Sequence, residues 1–272
     1  MPNQIFRVDT LTSTPFHGTP VAVCLLEGPR ERPWMRDLSL DLAASETAFL
    51  LPRSPNRFDL RVMAGSTEVE LSALASLAAA HVLYEYSLAD KRHPIAFFTR
   101  TGPVPATMEE GNALALNFPQ MVMEECPEPP EVILQAVDPA PEFVGRREND
   151  YFVQVSNEAR LREIRPDFAF LRAAKVKGLL VTSAATISTA NDFVAQTFAI
   201  GGHEEDTLAS YGHCLLAPFW FLRLGKSKMT GLRRSRVIAH PRSPSSMTLE
   251  VDGDRLRLLG EAVTIFRGEL AV

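Results

Sequence analysis

Glu70-Leu-Ser-Ala-Leu-Ala-Ser-Leu-Ala-Ala-Ala-His-Val-Leu-Tyr84 carries almost nothing but small and apolar residues after Ser72. A surface helix keeps a polar side opposite its apolar stripe, whereas a helix apolar on every side has to be enclosed. The stretch therefore reads as a buried central helix around which the first half of the chain wraps. Ser72 stands where an N-cap belongs. The unpaired N–H groups of a first helical turn, with the macrodipole behind them, suit an anion. Glu205-Asp-Thr-Leu-Ala-Ser-Tyr-Gly-His-Cys-Leu-Leu-Ala-Pro-Phe-Trp-Phe-Leu222 repeats the design: acidic residues, a small polar start with Ser210, then an apolar run. Two versions of one lobe are expected, an N-terminal one over 1–120 completed by the last strand (261–272) and a C-terminal one over 121–260.

Outward from the first helix, 5–8 and 21–26 are short apolar runs separated by a Gly- and Pro-bearing segment, which gives strand, turn, strand. Over 34–44, Met35, Leu38, Leu42 and Ala43 fall near helical spacing. Ser45-Glu-Thr47 then leads into an apolar strand at 48–51, so Glu46 is expected at a helix-to-strand junction. Residues 58–63 alternate apolar and polar as a half-buried strand does, and 95–99, 104–108 and 113–118 form a meander. The Pro- and Glu-dense run 124–130 has little to bury and is the expected crossing between lobes. Beyond it come a helix (130–137), a strand (151–155), a helix (166–174), strands at 179–182 and 192–198, and the second central helix. Strands at 237–239, 247–251, 255–259 and 262–266 close the chain. Each lobe is thus a mostly antiparallel sheet curled about one buried helix, an α+β arrangement.

Composition narrows the function. A chain of 272 residues can bury one large or two modest cores without staples. The net charge of -5 and pI near 5.7 offer no basic face for nucleic acid. Lys226, Lys228, Arg233, Arg234 and Arg236 cluster, and read as a solvated basic loop. Cys24, Cys126 and Cys214 show no metal-ligand spacing, so reduced thiols, no metal and a cytoplasmic setting are expected. The start Met-Pro-Asn-Gln-Ile-Phe-Arg has no apolar signal core, and charged residues or His interrupt every run of membrane-spanning length, so no membrane partner is expected.

These residues resemble the PhzF-like proteins of phenazine biosynthesis, which share the diaminopimelate-epimerase fold. Phe16-His-Gly-Thr-Pro-Val-Ala-Val23 matches that family's Phe-x-Gly-Asn-Pro-x-Ala-Val loop except at Thr19, and its Ser-Glu-Thr-x-Phe is intact as Ser45-Glu-Thr-Ala-Phe49. Its Cys-Gly-His-Ala-Thr-Leu-Ala-Ala-Ala-His helix start is here Ser72-Ala-Leu-Ala-Ser-Leu-Ala-Ala-Ala-His81. The second, Glu-Asp-Pro-x-Thr-Gly-Ser-Ala-His, is Glu205-Asp-Thr-Leu-Ala-Ser-Tyr-Gly-His213, and the ending Gly260-Glu-Ala-Val-Thr-Ile-Phe-Arg-Gly-Glu-Leu270 is also similar. The resemblance implies an isomerase without a cofactor. In it Glu46 moves a proton between carbons of a small unsaturated carboxylic acid, Asp206 and the two helix N-termini hold that substrate, and the chain forms a homodimer. Such proteins serve phenazine-like and alkylproline-antibiotic pathways.

Where the chain departs from the family, the site must be smaller, less polar or differently charged. Ala73 and Ser210 replace the glycines that let a helix start approach a carboxylate, Leu74 replaces a histidine, and Tyr211 replaces a serine. Racemases of this fold carry a cysteine at each helix start; Ser72 and Ala209 stand there instead, which excludes a two-thiol epimerase. A lone Glu46 could simply cap a turn or pair with an arginine, but a desolvated carboxylate beside apolar residues is suited to taking a proton from carbon. Asp206 could equally complement a helix dipole. His81 and His213 read first as buried, hydrogen-bonded histidines, His213 being the nearer to the expected cleft, and Cys214 as a small apolar residue. Two functions follow: an isomerase using Glu46, with Asp206, Ser72, Ala73, Ser76, Ser210, Tyr211 and His213 shaping recognition, or a member without chemistry that only binds a ligand or partner. The intact Ser45-Glu-Thr47 favours the first and the altered helix starts the second.

Overall fold

In chain order the elements are β1 (Gln4–Thr10), β2 (Thr19–Leu25), α1 (Arg32–Leu42), β3 (Glu46–Ser54), β4 (Arg57–Ala64), β5 (Thr67–Val69), α2 (Ala73–Glu85), β6 (Ile95–Thr99), β7 (Gly102–Met108) and β8 (Leu114–Pro119). They continue with β9 (Glu124–Glu125), α3 (Glu131–Ala136), β10 (Phe143–Arg147), β11 (Asp150–Gln154), α4 (Glu158–Glu163), α5 (Phe168–Ala173), β12 (Gly178–Ala184), β13 (Phe193–Ala199), α6 (Thr207–Leu224), β14 (Lys228–Arg234), β15 (Ser245–Asp252), β16 (Arg255–Gly260) and β17 (Ala262–Glu269). The computed structural model describes residues 3–138, 140–200, 207–234 and 245–271. The chain divides into two units, one built mainly from Met1–Pro119 with Arg255–Val272 and the other from Gln120–Gly202 with Asp206–Asp254.

The first unit is organised by α2, which buries eleven of its thirteen residues, Ala73–Ala80 and Val82–Tyr84. An Ala- and Leu-rich run has high helix propensity, and the β-branched Val82 arrives only near its end. Leu77, Val82 and Leu83 are fully buried, each contributing roughly 1.5–3 kcal/mol. The helix stops where Ser87 turns left-handed (φ 58) and the Leu88 N–H reaches back 2.8 Å to the Leu83 carbonyl. The buried Tyr84 hydroxyl lies 3.0 and 3.1 Å from the carbonyl oxygens of His93 and Ala106. Around α2 the strands pair in the order β17–β1–β2–β3–β4–β6–β7–β8–β16, antiparallel except for β2 with β3 and β4 with β6. The three-residue β5 adds to β4. The helix touches β1, β2, β3, β7, β8 and β17, so the sheet curls about it.

The second unit repeats the scheme. Its strands pair in the order β9–β10–β11–β12–β13–β14–β15, again antiparallel except for two parallel joins, β11 with β12 and β13 with β14. Helices fill the same places in the connectivity: α1 and α4–α5 after the first hairpin of each unit, α2 and α6 after the second. One face of the second sheet carries a core of Val153, Leu161, Leu171, Val181, Val194 and Phe198 beneath the short helices. On the α6 side the Phe193 ring stacks on Trp220 (centroids 5.6 Å apart, 8° between planes). Pro218 has no N–H to offer the carbonyl four residues back, and that carbonyl, of Cys214, accepts the Met121 N–H at 3.1 Å instead.

Several expectations need correction. β16, expected within the C-terminal lobe, pairs with β8 and belongs to the first unit. The expected crossing at 124–130 contains β9, which pairs with β10. The basic cluster read as a solvated loop is in part strand β14. Met229 and Leu232 are buried within it, while the Lys228 side chain reaches out to Glu250, its register partner, at 2.8 Å. The strand expected at 237–239 lies outside the described residues. β5, β10 and α4 had no sequence expectation: β5 is too short to show a period, and α4 offers a single core apolar residue, Leu161. Instead α4 is started by its cap, the Asn157 side chain accepting the Arg160 N–H at 2.9 Å.

Candidate active site

Ser72 precedes α2 with extended backbone (φ -141, ψ 125), and its Oγ accepts the Ala75 N–H at 3.0 Å. That is N-cap geometry. The same hydroxyl donates its proton to the carboxylate of Glu46. Glu46 is the first residue of β3, opposite Val21 of β2, and only 4 % of it is exposed. The pleat explains its direction. Phe49 lies in an outer cluster with Cys24, Met35 and Met63, against which Trp34 packs. Glu46, an odd number of residues away, must face the other side of the sheet, toward α2.

The start of β2, which the β1–β2 connection delivers, is held close to this corner, for the Ser45 N–H donates to the carbonyl of Pro20, its second residue, at 3.0 Å. Gly18 in that connection admits no side chain: a Cβ there would fall 2.5 Å from the carbonyl oxygen of Thr10 and 2.6 Å from the Thr12 methyl carbon. The glycine of the Phe16–Val23 motif is therefore a packing requirement of the β1–β2 turn. Burial opposes the charge of Glu46, and the Ser72 hydroxyl and the N-terminus of α2 favour it. A carboxylate so held can both accept and return a proton.

Ala73 and Leu74, 2 % exposed each, form the first turn of α2 behind Ser72. The Ser76 hydroxyl donates to the Ser72 carbonyl at 2.6 Å, so its proton is committed to its own helix. In the second unit, Ser210 falls in the first turn of α6 and Asp206 lies outside the described residues. The Tyr211 hydroxyl donates to Asp150, the first residue of β11. Burial, and then the adjacent Asp150 carboxylate, push the Tyr211 phenol well above its ordinary range; burial also pushes Asp150 up against the pull of that hydrogen bond. Tyr211 is thus a neutral donor at pH 7, with the Arg147 guanidinium 5.4 Å from its ring centroid. His213 and Cys214 are buried, at 2 % and 1 % exposed. Asp150 and Arg147 escaped the sequence reading because they sit in a hairpin with no motif. Among the described residues no group of His, Cys, Asp and Glu is placed to hold a metal ion, and no helix is long and apolar enough to cross a membrane.

Comparison with known proteins gives one consistent result. A family model described as phenazine biosynthesis-like protein, PhzC-PhzF, matches residues 8–268. An uncharacterized isomerase of Halalkalibacterium halodurans is 34% identical over 272 residues, covering 99% of each chain. Among solved structures, a phenazine biosynthesis PhzF-family protein of Enterococcus faecalis superposes with a TM-score of 0.83 at 28% identity, covering 100% of both chains. A probable proline racemase from Agrobacterium radiobacter shares the fold at 12% identity, with a TM-score of 0.65 over 99% of this chain and 93% of that one. The architecture is that of the diaminopimelate-epimerase-like α+β fold.

Proposed function

The chain belongs to the PhzC-PhzF family of phenazine biosynthesis-like proteins, and from that membership we propose that it is an isomerase which shifts a proton and a double bond within a small unsaturated amino or imino acid. Glu46 is its general acid and base. The observation that supports this reading is the buried Glu46 carboxylate held by the hydroxyl that also caps α2. Glu46 takes a proton from a carbon made acidic by conjugation, the electron pair moves into the adjacent double bond, and the protonated Glu46 returns the proton at the far end of the shifted system. No electrons leave the substrate, so neither redox partner nor cofactor is called for. The N–H groups at the helix starts receive the substrate carboxylate, and Asp206, Ser210, Tyr211 and His213 shape recognition. We place the enzyme in the cytoplasm, in a secondary-metabolite route, as a homodimer; light scattering should return the dimer mass.

The chemistry is tested by deuterium uptake from heavy water into candidate unsaturated amino and imino acids, followed by NMR. Glu46→Gln keeps size and hydrogen-bonding reach but lacks the basic oxygen, so exchange should fall by about 10²–10⁴ or more while ligand binding persists. Leu74 stands where a histidine could have rescued it. Asp206→Asn should raise KM more than it lowers kcat. Exchange undiminished in Glu46→Gln would remove that residue from the mechanism. Failure of the wild type to exchange any ligand it binds would favour the second reading, a binding protein without chemistry, for which the substitutions at Ala73, Leu74 and Ser210 speak.

A further inference from the structure

At the far end of α2 from Ser72 the first unit opens a pocket of about 410 Å³, within the range of about 300–1,000 Å³ that small-molecule sites occupy. His81 lies nine residues along the helix from Ser72, which at 1.5 Å per residue is about 14 Å, so this is a different place from the Glu46 corner. The pocket sits where β17 and β8, both beside α2, are each paired to another strand. Its polar wall is organised around Glu85. The Thr264 hydroxyl donates to Glu85 Oε2 at 2.5 Å and His81 Nε2 lies 2.9 Å from the same oxygen, which leaves Oε1 for another donor. Burial pushes His81 down, ahead of the opposing pull of Glu85, so the imidazole is neutral at pH 7 and does not cancel the carboxylate. Glu261 adds a second carboxylate, and the two outnumber Lys91 at the exposed rim. Met108, Leu114 and Val263 supply an apolar side.

We propose that this pocket binds a small organic ammonium ion with a short aliphatic body, its nitrogen on Glu85 and its hydrocarbon against Met108, Leu114 and Val263. The Glu85 carboxylate, held by Thr264 beside an apolar wall and with Glu261 also lining the pocket, is the complement of a primary alkylamine and repels an acid of the same shape. The test is a titration of the full chain, labelled at its methionine methyl carbons, with n-butylammonium chloride and with sodium butyrate at equal ionic strength. The Met108 signal should shift saturably with n-butylammonium and not with butyrate. Glu85→Gln should weaken that binding about tenfold or more, and Glu261→Gln should weaken it less, with the other methionine signals unmoved in both. A shift that fails to saturate, an equal response to butyrate, or undiminished affinity in Glu85→Gln with the other signals in place would overturn the proposal.

Discussion

One oxygen of Ser72 accepts the Ala75 N–H and gives its proton to Glu46, so the residue that starts the central helix also fixes the direction of the carboxylate. This much was legible in the sequence: a serine before an apolar run is a cap, and Ser45-Glu-Thr47 is a motif. Glu158 was not. It is fully buried, and its carboxylate collects the Ser188 hydroxyl (2.7 Å), the N–H groups of Ile187 and Ser188 (2.9 and 2.8 Å) and the Arg162 guanidinium, pinning a loop that lies far along the chain. Burial alone would raise its pKa, but the Ser188 hydroxyl and N–H, then Arg162 and Ile187, hold it down to about 2, against 4.5 for an unperturbed glutamate. A carboxylate whose folded value is depressed stabilises the fold above its unfolded pKa, and that stability is lost as pH falls through the folded one. Glu158→Gln should therefore lose about 1–3 kcal/mol at pH 7. In urea melts the gap from wild type should close between about pH 4.5 and 2. A gap independent of pH would show that the charge is immaterial.

At the scale of elements, α2 was readable because no face of it could meet water, and β14 was not because its buried Met229 and Leu232 are set among lysine and arginine. Alternation with basic residues hides a strand whose buried positions are this few. The glycine inside β14 carries a second message. A Cβ on Gly231 would fall 2.3 Å from Cζ of Phe193, the ring stacked on Trp220. That ring is fully buried and has no room to retreat, so Gly231→Ala should cost about 1–3 kcal/mol by overpacking. It should also alter the Trp220 environment, read as a change in near-ultraviolet circular dichroism. An unchanged spectrum and melting point would contradict this packing.

For the whole molecule, the repetition was legible in the two apolar helices, and each unit answers it with the same alternation of antiparallel and parallel joins. The return of β16 was not, since an alternating strand does not reveal which edge it will join. That return sets a timetable for synthesis. β1 is complete once Thr10 has been made, yet one of its two neighbours, β17, starts only at Ala262 and is translated after the whole inserted unit. The inserted unit is finished by Asp254, before its host can close. The usual order of folding on the ribosome, N-terminal part first, is inverted here for the final step. Chains arrested with residues through 254 outside the exit tunnel should resist protease within 120–254 while 1–119 is still cut, and resistance of 1–119 should appear only when 255–272 emerges. For as long as translation of the second unit lasts, the edges of β1 and β8 that await β17 and β16 are open to pairing with neighbouring nascent chains, so slow decoding of that unit would raise the risk of aggregation on the polysome.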